Sequence, residues 1–89
     1  MNKEKFIRLL KANNLRDTVE RRVIFDEIYS FPDTFSREDI DSRMEAERIS
    51  RGTVVNTLNL FIELGIIKLV PSVYKHYVYE VIHTEINND

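Results

Sequence analysis

The hydrophobic period of this chain changes once, at Gly65. Before Gly65 the apolar residues recur at helical spacing. After it they gather in two short β-branched runs. Phe6, Ile7, Leu9 and Leu10 predict a short amphipathic helix over 3–12, ended by Asn13-Asn14, because asparagine favours turns. Thr18 then reads as an N-cap, and Val23 or Ile24, Ile28 and Phe31 carry a second helix to the stop at Pro32. Ser36 with Asp39 three residues on gives a capping-box-like start to a helix from Arg37 to about Ala46. Its apolar stripe is narrow, with Ile40 and Met44 only. Ser50 caps again, and Val54, Leu58, Phe61 and Ile62 form one face of a helix Arg51–Leu64, with Gly65 as its C′ residue.

Beyond Gly65, residues 66–70 and 77–82 are strand-like runs joined by a turn-length segment, so 66–82 predicts a β-hairpin. About four residues, Glu47 to Ser50, join the third and fourth helices. The expected fold class is therefore α+β: a winged helix-turn-helix of four helices followed by a two-stranded β-hairpin wing. One domain is expected over 1–84 and a polar tail over 85–89. The expected core is Leu9, Leu10, Ile24, Ile28, Ile40, Leu58, Phe61, Ile67 and Val81.

Composition excludes several classes of activity. The 89 residues include no cysteine, so disulfides, thiolate metal sites and cysteine nucleophiles are ruled out. Two glycines cannot build a glycine-rich phosphate loop. No apolar run approaches the roughly 18–20 residues of a membrane span, and the N-terminus lacks a signal-peptide stretch. A cytoplasmic protein without a membrane role is expected. No catalytic constellation is present, so neither an enzyme nor a small-molecule substrate or cofactor is expected.

The formal net charge is -2, yet its distribution is uneven. Residues 1–22 hold seven Lys/Arg against three Asp/Glu, and residues 48–76 hold four against one. Between them, 26–47 hold two against eight. In the predicted architecture the helix after the turn enters the major groove of double-stranded DNA. Arg51, Asn56, Asn59 and Leu60 fall off its Val54/Leu58/Phe61 face. Asparagine can pair with adenine and arginine with guanine or phosphate. Val55 could touch a thymine methyl or pack inward. Lys5, Arg16, Arg21 and Arg22 are candidate phosphate contacts, as are Ser36 and, on or beside the wing, Lys68, Lys75 and His76. The acidic third helix is expected on an outer face, away from phosphate.

Three segments carry a family resemblance. They are Leu15-Arg16-x-Thr18-x-x-Arg21-x-x-Ile24-Phe25, then Phe35-Ser36-x-Glu38-Asp39-Ile40, then Ile49-Ser50-x-x-Thr53-Val54-x-Asn56-Thr57-Leu58-x-x-Phe61-x-Glu63-x-Gly65-Ile66-Ile67. In this order and spacing the chain resembles the N-terminal DNA-binding domain of the ferric uptake regulator (Fur) family, bacterial metal- and peroxide-responsive repressors. The resemblance implies that Thr53 to Thr57 sits at the groove, with Thr53 and Val55 at base positions, and that Arg21 approaches phosphate. It also implies dimers on pseudo-palindromic sites, so a homodimer or a partner regulator is expected. The chain departs from the family pattern at Val55, where tyrosine is usual, and at Thr34, where histidine is common. It stops where the metal-binding dimerisation domain would begin, and only Glu80 matches an inter-domain metal ligand. The resemblance therefore implies no metal site in this chain. A second reading, from the negative net charge and Val55, is a protein-interaction module that kept the fold and lost DNA binding. RNA binding by the same fold is a third.

Overall fold

Each helix begins at a side chain that accepts a hydrogen bond from its own first turn, which satisfies a backbone N–H left open there. The computed structural model describes residues 1–71 and 77–83. In it Asn2 caps α1 (Lys3–Ala12), Thr18 caps α2 (Val19–Ile28), Ser36 caps α3 (Arg37–Ala46) and Ser50 caps α4 (Arg51–Glu63). The N–H groups of Lys5, Arg21, Asp39 and Thr53 donate to these caps over 2.8, 3.2, 3.1 and 3.2 Å. Three of the four caps were predicted; Asn2 was not. Gly65 adopts φ 75° at the end of α4, the left-handed geometry expected of a C′ glycine. Arg48 adopts φ 60° in the turn between α3 and α4, where a non-glycine residue is uncommon.

Helix α2 stops before the expected limit at Pro32. The Ser30 N–H donates to the Glu27 carbonyl over 3.0 Å, and the Ser30 hydroxyl donates to the same carbonyl over 2.6 Å. These bonds tighten the last turn, and Phe31 leaves the helix to stack on Phe35 with ring centroids 5.2 Å apart. The Arg43 guanidinium lies 4.0 Å over the Phe31 ring and bonds Glu27 at 2.8 Å, tying α3 to the end of α2.

The architecture is the expected α+β winged helix, with one strand more than expected. Three antiparallel strands lie in the order β1-β3-β2: β1 is Thr34–Ser36, β2 is Ile67–Val70 and β3 is Val78–Val81. The predicted hairpin supplies β2 and β3, in register Ile67↔Val81 to Val70↔Val78. On the other side of β3, Thr34 pairs Glu80, Phe35 pairs Tyr79 and Ser36 pairs Val78. A three-residue strand shows no periodicity of its own. Ser36, read only as a cap, both ends β1 and caps α3. The Arg37 N–H extends this join by donating to the Tyr77 carbonyl over 2.9 Å.

The core forms where the buried faces of all four helices meet the sheet. Leu10, Ile24, Ile28, Ile40, Leu58, Phe61, Ile67 and Val81 are buried as expected. Leu9 is only half-buried, and Phe6 holds the place assigned to it. Phe6 and Leu10 are one helical turn apart at the centre of the buried face, and Leu9 packs against the core from its edge. Phe6 stacks on Phe25 at 4.2 Å and meets Phe61 edge-on at 5.5 Å. Among the described residues no helix is long and apolar enough to cross a membrane.

Candidate nucleic-acid interface

Helix α4 buries Val54, Thr57, Leu58 and Phe61 and turns its opposite side to solvent. Thr57 is buried without penalty because its hydroxyl donates to the Thr53 carbonyl over 2.7 Å. Arg51, Asn56 and Asn59 are exposed; Thr53 and Val55 are half-buried at the edges of the same side. Four of the five predicted base-contact residues line grooves flanking this side, and Arg51 borders a third.

The first groove lies between α4 and the start of α2. Thr18, Glu20, Arg21, Thr53, Asn56 and Thr57 line it. Arg21 reaches it from a fixed position, since its Nη1 donates to the Arg16 carbonyl over 2.6 Å. That bond pins the α1–α2 loop, and no carboxylate bonds the Arg21 guanidinium directly, although Glu20 shares the groove. No local signal predicts this position of Glu20. Nothing in the periodicity of α2 could have shown it, because Glu20 is on the exposed side and its neighbour across the groove is Asn56, far along the chain.

The second groove separates α4 from the sheet. Arg37, Val55, Asn59, Ile62, Leu69, Tyr77 and Tyr79 line it. A third depression beyond the N-terminus of α4 brings Arg51 beside Glu38, Asp41, Ser42 and Glu45. Part of the acidic block expected on a distant outer face therefore borders the start of α4.

The predicted phosphate contacts fall into different electrostatic settings. Arg22 makes a two-pronged pair with Asp17, Nε and Nη2 donating over 2.8 and 2.7 Å. The bond from Arg22 holds the Asp17 carboxyl below its usual range, and Asp17 in turn raises the Arg22 guanidinium. Lys68 pairs with Glu80 at 3.2 Å. Ser36 is committed to its cap. Lys5 and Arg16 line none of the three grooves. Lys75 and His76 lie outside the described residues, as does the tail expected over 85–89.

Among the described residues the donors do not suit a transition metal. The Glu80 carboxylate is engaged by Lys68, and the His83 ring rests edge-on to Tyr29 at 5.9 Å. Among the described residues no group of three or more His, Asp or Glu could hold a metal ion.

Four capped helices, a tight turn between the last two and a sheet closing behind the fourth define a winged helix domain. The solved structure of GAS PerR-Zn-Zn shares this fold: TM-score 0.80, 20% identity, covering 88% of this chain and 52% of that one. The model of the FUR family, the ferric uptake regulator family, matches residues 12–88. The chain belongs to that family, whose members are transcription regulators. It spans about half the length of the PerR chain it matches (52%). No curated protein matches it significantly.

Proposed function

We propose that this chain binds double-stranded DNA as a transcription regulator, with α4 in the major groove and the sheet as its wing. The observation that carries this reading is the outward side of α4, where Asn56 and Asn59 stand one turn apart between two grooves. An asparagine amide can donate to adenine N7 and accept from N6 in the same plane, so both are suited to adenine. Val55 offers an apolar surface to a thymine methyl. Thr53 can hydrogen-bond either a base or a phosphate. Arg51 is the weakest base reader of the five, because the carboxylates around it offset its charge.

Arg21 is the principal phosphate contact of the first basic block. It stands beside Asn56 and bonds a backbone carbonyl, with Glu20 on the same groove but not bonded to it, whereas Arg22 is held directly by the Asp17 carboxylate. Arg22→Ala is therefore expected to change the salt slope of DNA binding by well under one unit. Comparing binding isotherms of the Arg21→Ala and Arg22→Ala proteins across a salt series checks this; equal slopes would remove the ranking. Family members dimerise, so a single copy is expected to bind weakly and a pair, on two half-sites, more strongly.

The protein-interaction reading has one observation in its favour. Leu69 and Tyr77 are 49% and 60% exposed on the same groove, a surface that an apolar partner could cover. Titrating fluorescent random-sequence duplex at about 50 and 200 mM salt separates the two, since phosphate contacts lose most affinity over this range. Salt-sensitive binding supports the DNA reading. No binding at low salt and high protein concentration supports the partner reading.

A further inference from the structure

The groove between α4 and the sheet is the place where four elements, α3, α4, β2 and β3, converge on one opening. Arg37 comes from the first position of α3, Val55 and Asn59 from α4, Leu69 from β2, and Tyr77 from the entry to β3. The groove encloses about 220 Å³. We propose that it is a subsite for one sugar–phosphate unit of the DNA backbone, with Arg37 as its phosphate contact. The inference rests on the DNA-binding reading and adds a contact on the opposite side of α4 from Arg21.

The lining chemistry selects this occupant. A nucleotide backbone unit presents a weakly polar C–H face on the deoxyribose and a delocalised anion on the phosphate. The groove offers the complementary pair: the exposed surfaces of Leu69 and Tyr77 for the sugar and Arg37 for the phosphate, with Val55 and Asn59 bordering it from the reading side. A guanidinium fork matches two phosphate oxygens at once. An apolar peptide side chain would fill the walls yet desolvate Arg37 without replacing its water, at a cost.

Arg37 is also held ready for an anion. Its side chain is 23% exposed and its partner Asp41 14%, so neither sweeps freely through solvent. Asp41 offsets part of the Arg37 charge, but only through Nε, at 3.3 Å. That contact is longer than the 2.8 and 2.7 Å pair that occupies both Nε and Nη2 of Arg22, and it is single-pronged, so the terminal amino groups of Arg37 can take a phosphate. The Arg37 N–H donates to the Tyr77 carbonyl over 2.9 Å, so the cationic and apolar ends of the groove are tied by the backbone. The subsite is continuous with the reading surface, because Val55 and Asn59 belong to both.

The test measures binding of the full chain to random-sequence duplex across a salt series, for the unaltered protein, Arg37→Ala and Arg37→Lys. Losing one phosphate contact reduces the slope of log K against log salt by about 0.9, so Arg37→Ala should lose about three- to fourfold less affinity between 50 and 200 mM salt. Arg37→Lys should keep most of the slope, which a purely structural role of the arginine would not require. Thermal melts identify any variant that fails to fold, and the lysine variant then decides. Binding by the unaltered chain with a slope unchanged in Arg37→Ala would overturn the subsite and leave the DNA reading standing. A fall in affinity confined to a preferred duplex, with the slope unchanged, would make Arg37 a base contact and overturn it equally. No binding by the unaltered chain removes the DNA reading and the subsite together.

Discussion

Phe6→Ala is expected to destabilise the domain by about 3–5 kcal/mol, the usual cost of removing a buried phenylalanine. Helix α1 is an amphipathic helix of ten residues, too short to be stable alone. Its two fully buried side chains are Phe6 and Leu10. Phe6 has no exposed surface and makes two ring contacts, one with Phe25 on α2 and one with Phe61 on α4. It therefore joins three helices at one point. Truncation removes the transfer free energy of the ring, both aromatic contacts and the packing around the cavity left behind. Domains are commonly stable by only about 5–15 kcal/mol. A loss of this size leaves a large unfolded fraction at physiological temperature. Urea unfolding followed by circular dichroism measures it as a lowered midpoint with an unchanged slope. Leu9→Ala, from a half-buried site on the same helix, should cost clearly less. Equal losses at the two positions would mean that the core of α1 is wrongly assigned.

Asn56→Ala is expected to weaken binding to a preferred site by about 1–3 kcal/mol at one base position, roughly 5- to 150-fold, and to leave random-sequence binding nearly unchanged. The residue is exposed at the middle of α4 and shares a groove with Arg21. An amide reads a base edge and carries no net charge, so its loss should not alter the salt slope. Arg21→Ala is the counterpart. It should weaken binding to every sequence and lower the slope by about one unit. Selecting a preferred duplex and then titrating both variants against it and against random duplex gives four affinities at each salt. The expected pattern is a specific loss for one residue and a uniform loss for the other. Uniform loss from Asn56→Ala with no change in base preference would remove α4 as the reading helix.

Much of this fold is visible in local signals because its helices are marked locally. Thr18, Ser36 and Ser50 each precede an apolar repeat, and each caps the helix that follows. The buried face of α4 follows from spacing alone, since Val54, Leu58 and Phe61 are separated by four and three residues. The outward position of Asn56 and Asn59 follows from the same arithmetic. The family's motifs add the order of these segments, and the match over residues 12–88 agrees with them.

What local reading misses is set by partners distant in the chain. Leu9 and Phe6 are both apolar residues of one short helix, and only the position of α1 against Phe25 and Phe61 selects Phe6 for burial. Strand β1 is three residues long and exists because β3 lies alongside it, some forty residues later. Charge pairing behaves in the same way. The sequence shows that Arg21 and Arg22 are adjacent; the structure decides that one bonds a carbonyl and the other a carboxylate.

The sequence by itself determined the helices, three of their four caps, the change of period at Gly65 and the side of α4 left to solvent, because each depends on neighbours within about one helical turn. Only the tertiary structure decided the third strand, the grooves on either side of α4 and the meeting of Arg37 with Tyr77. Those depend on which surfaces pack when the apolar faces are buried together. That choice is made by the whole core at once and is written in no single segment.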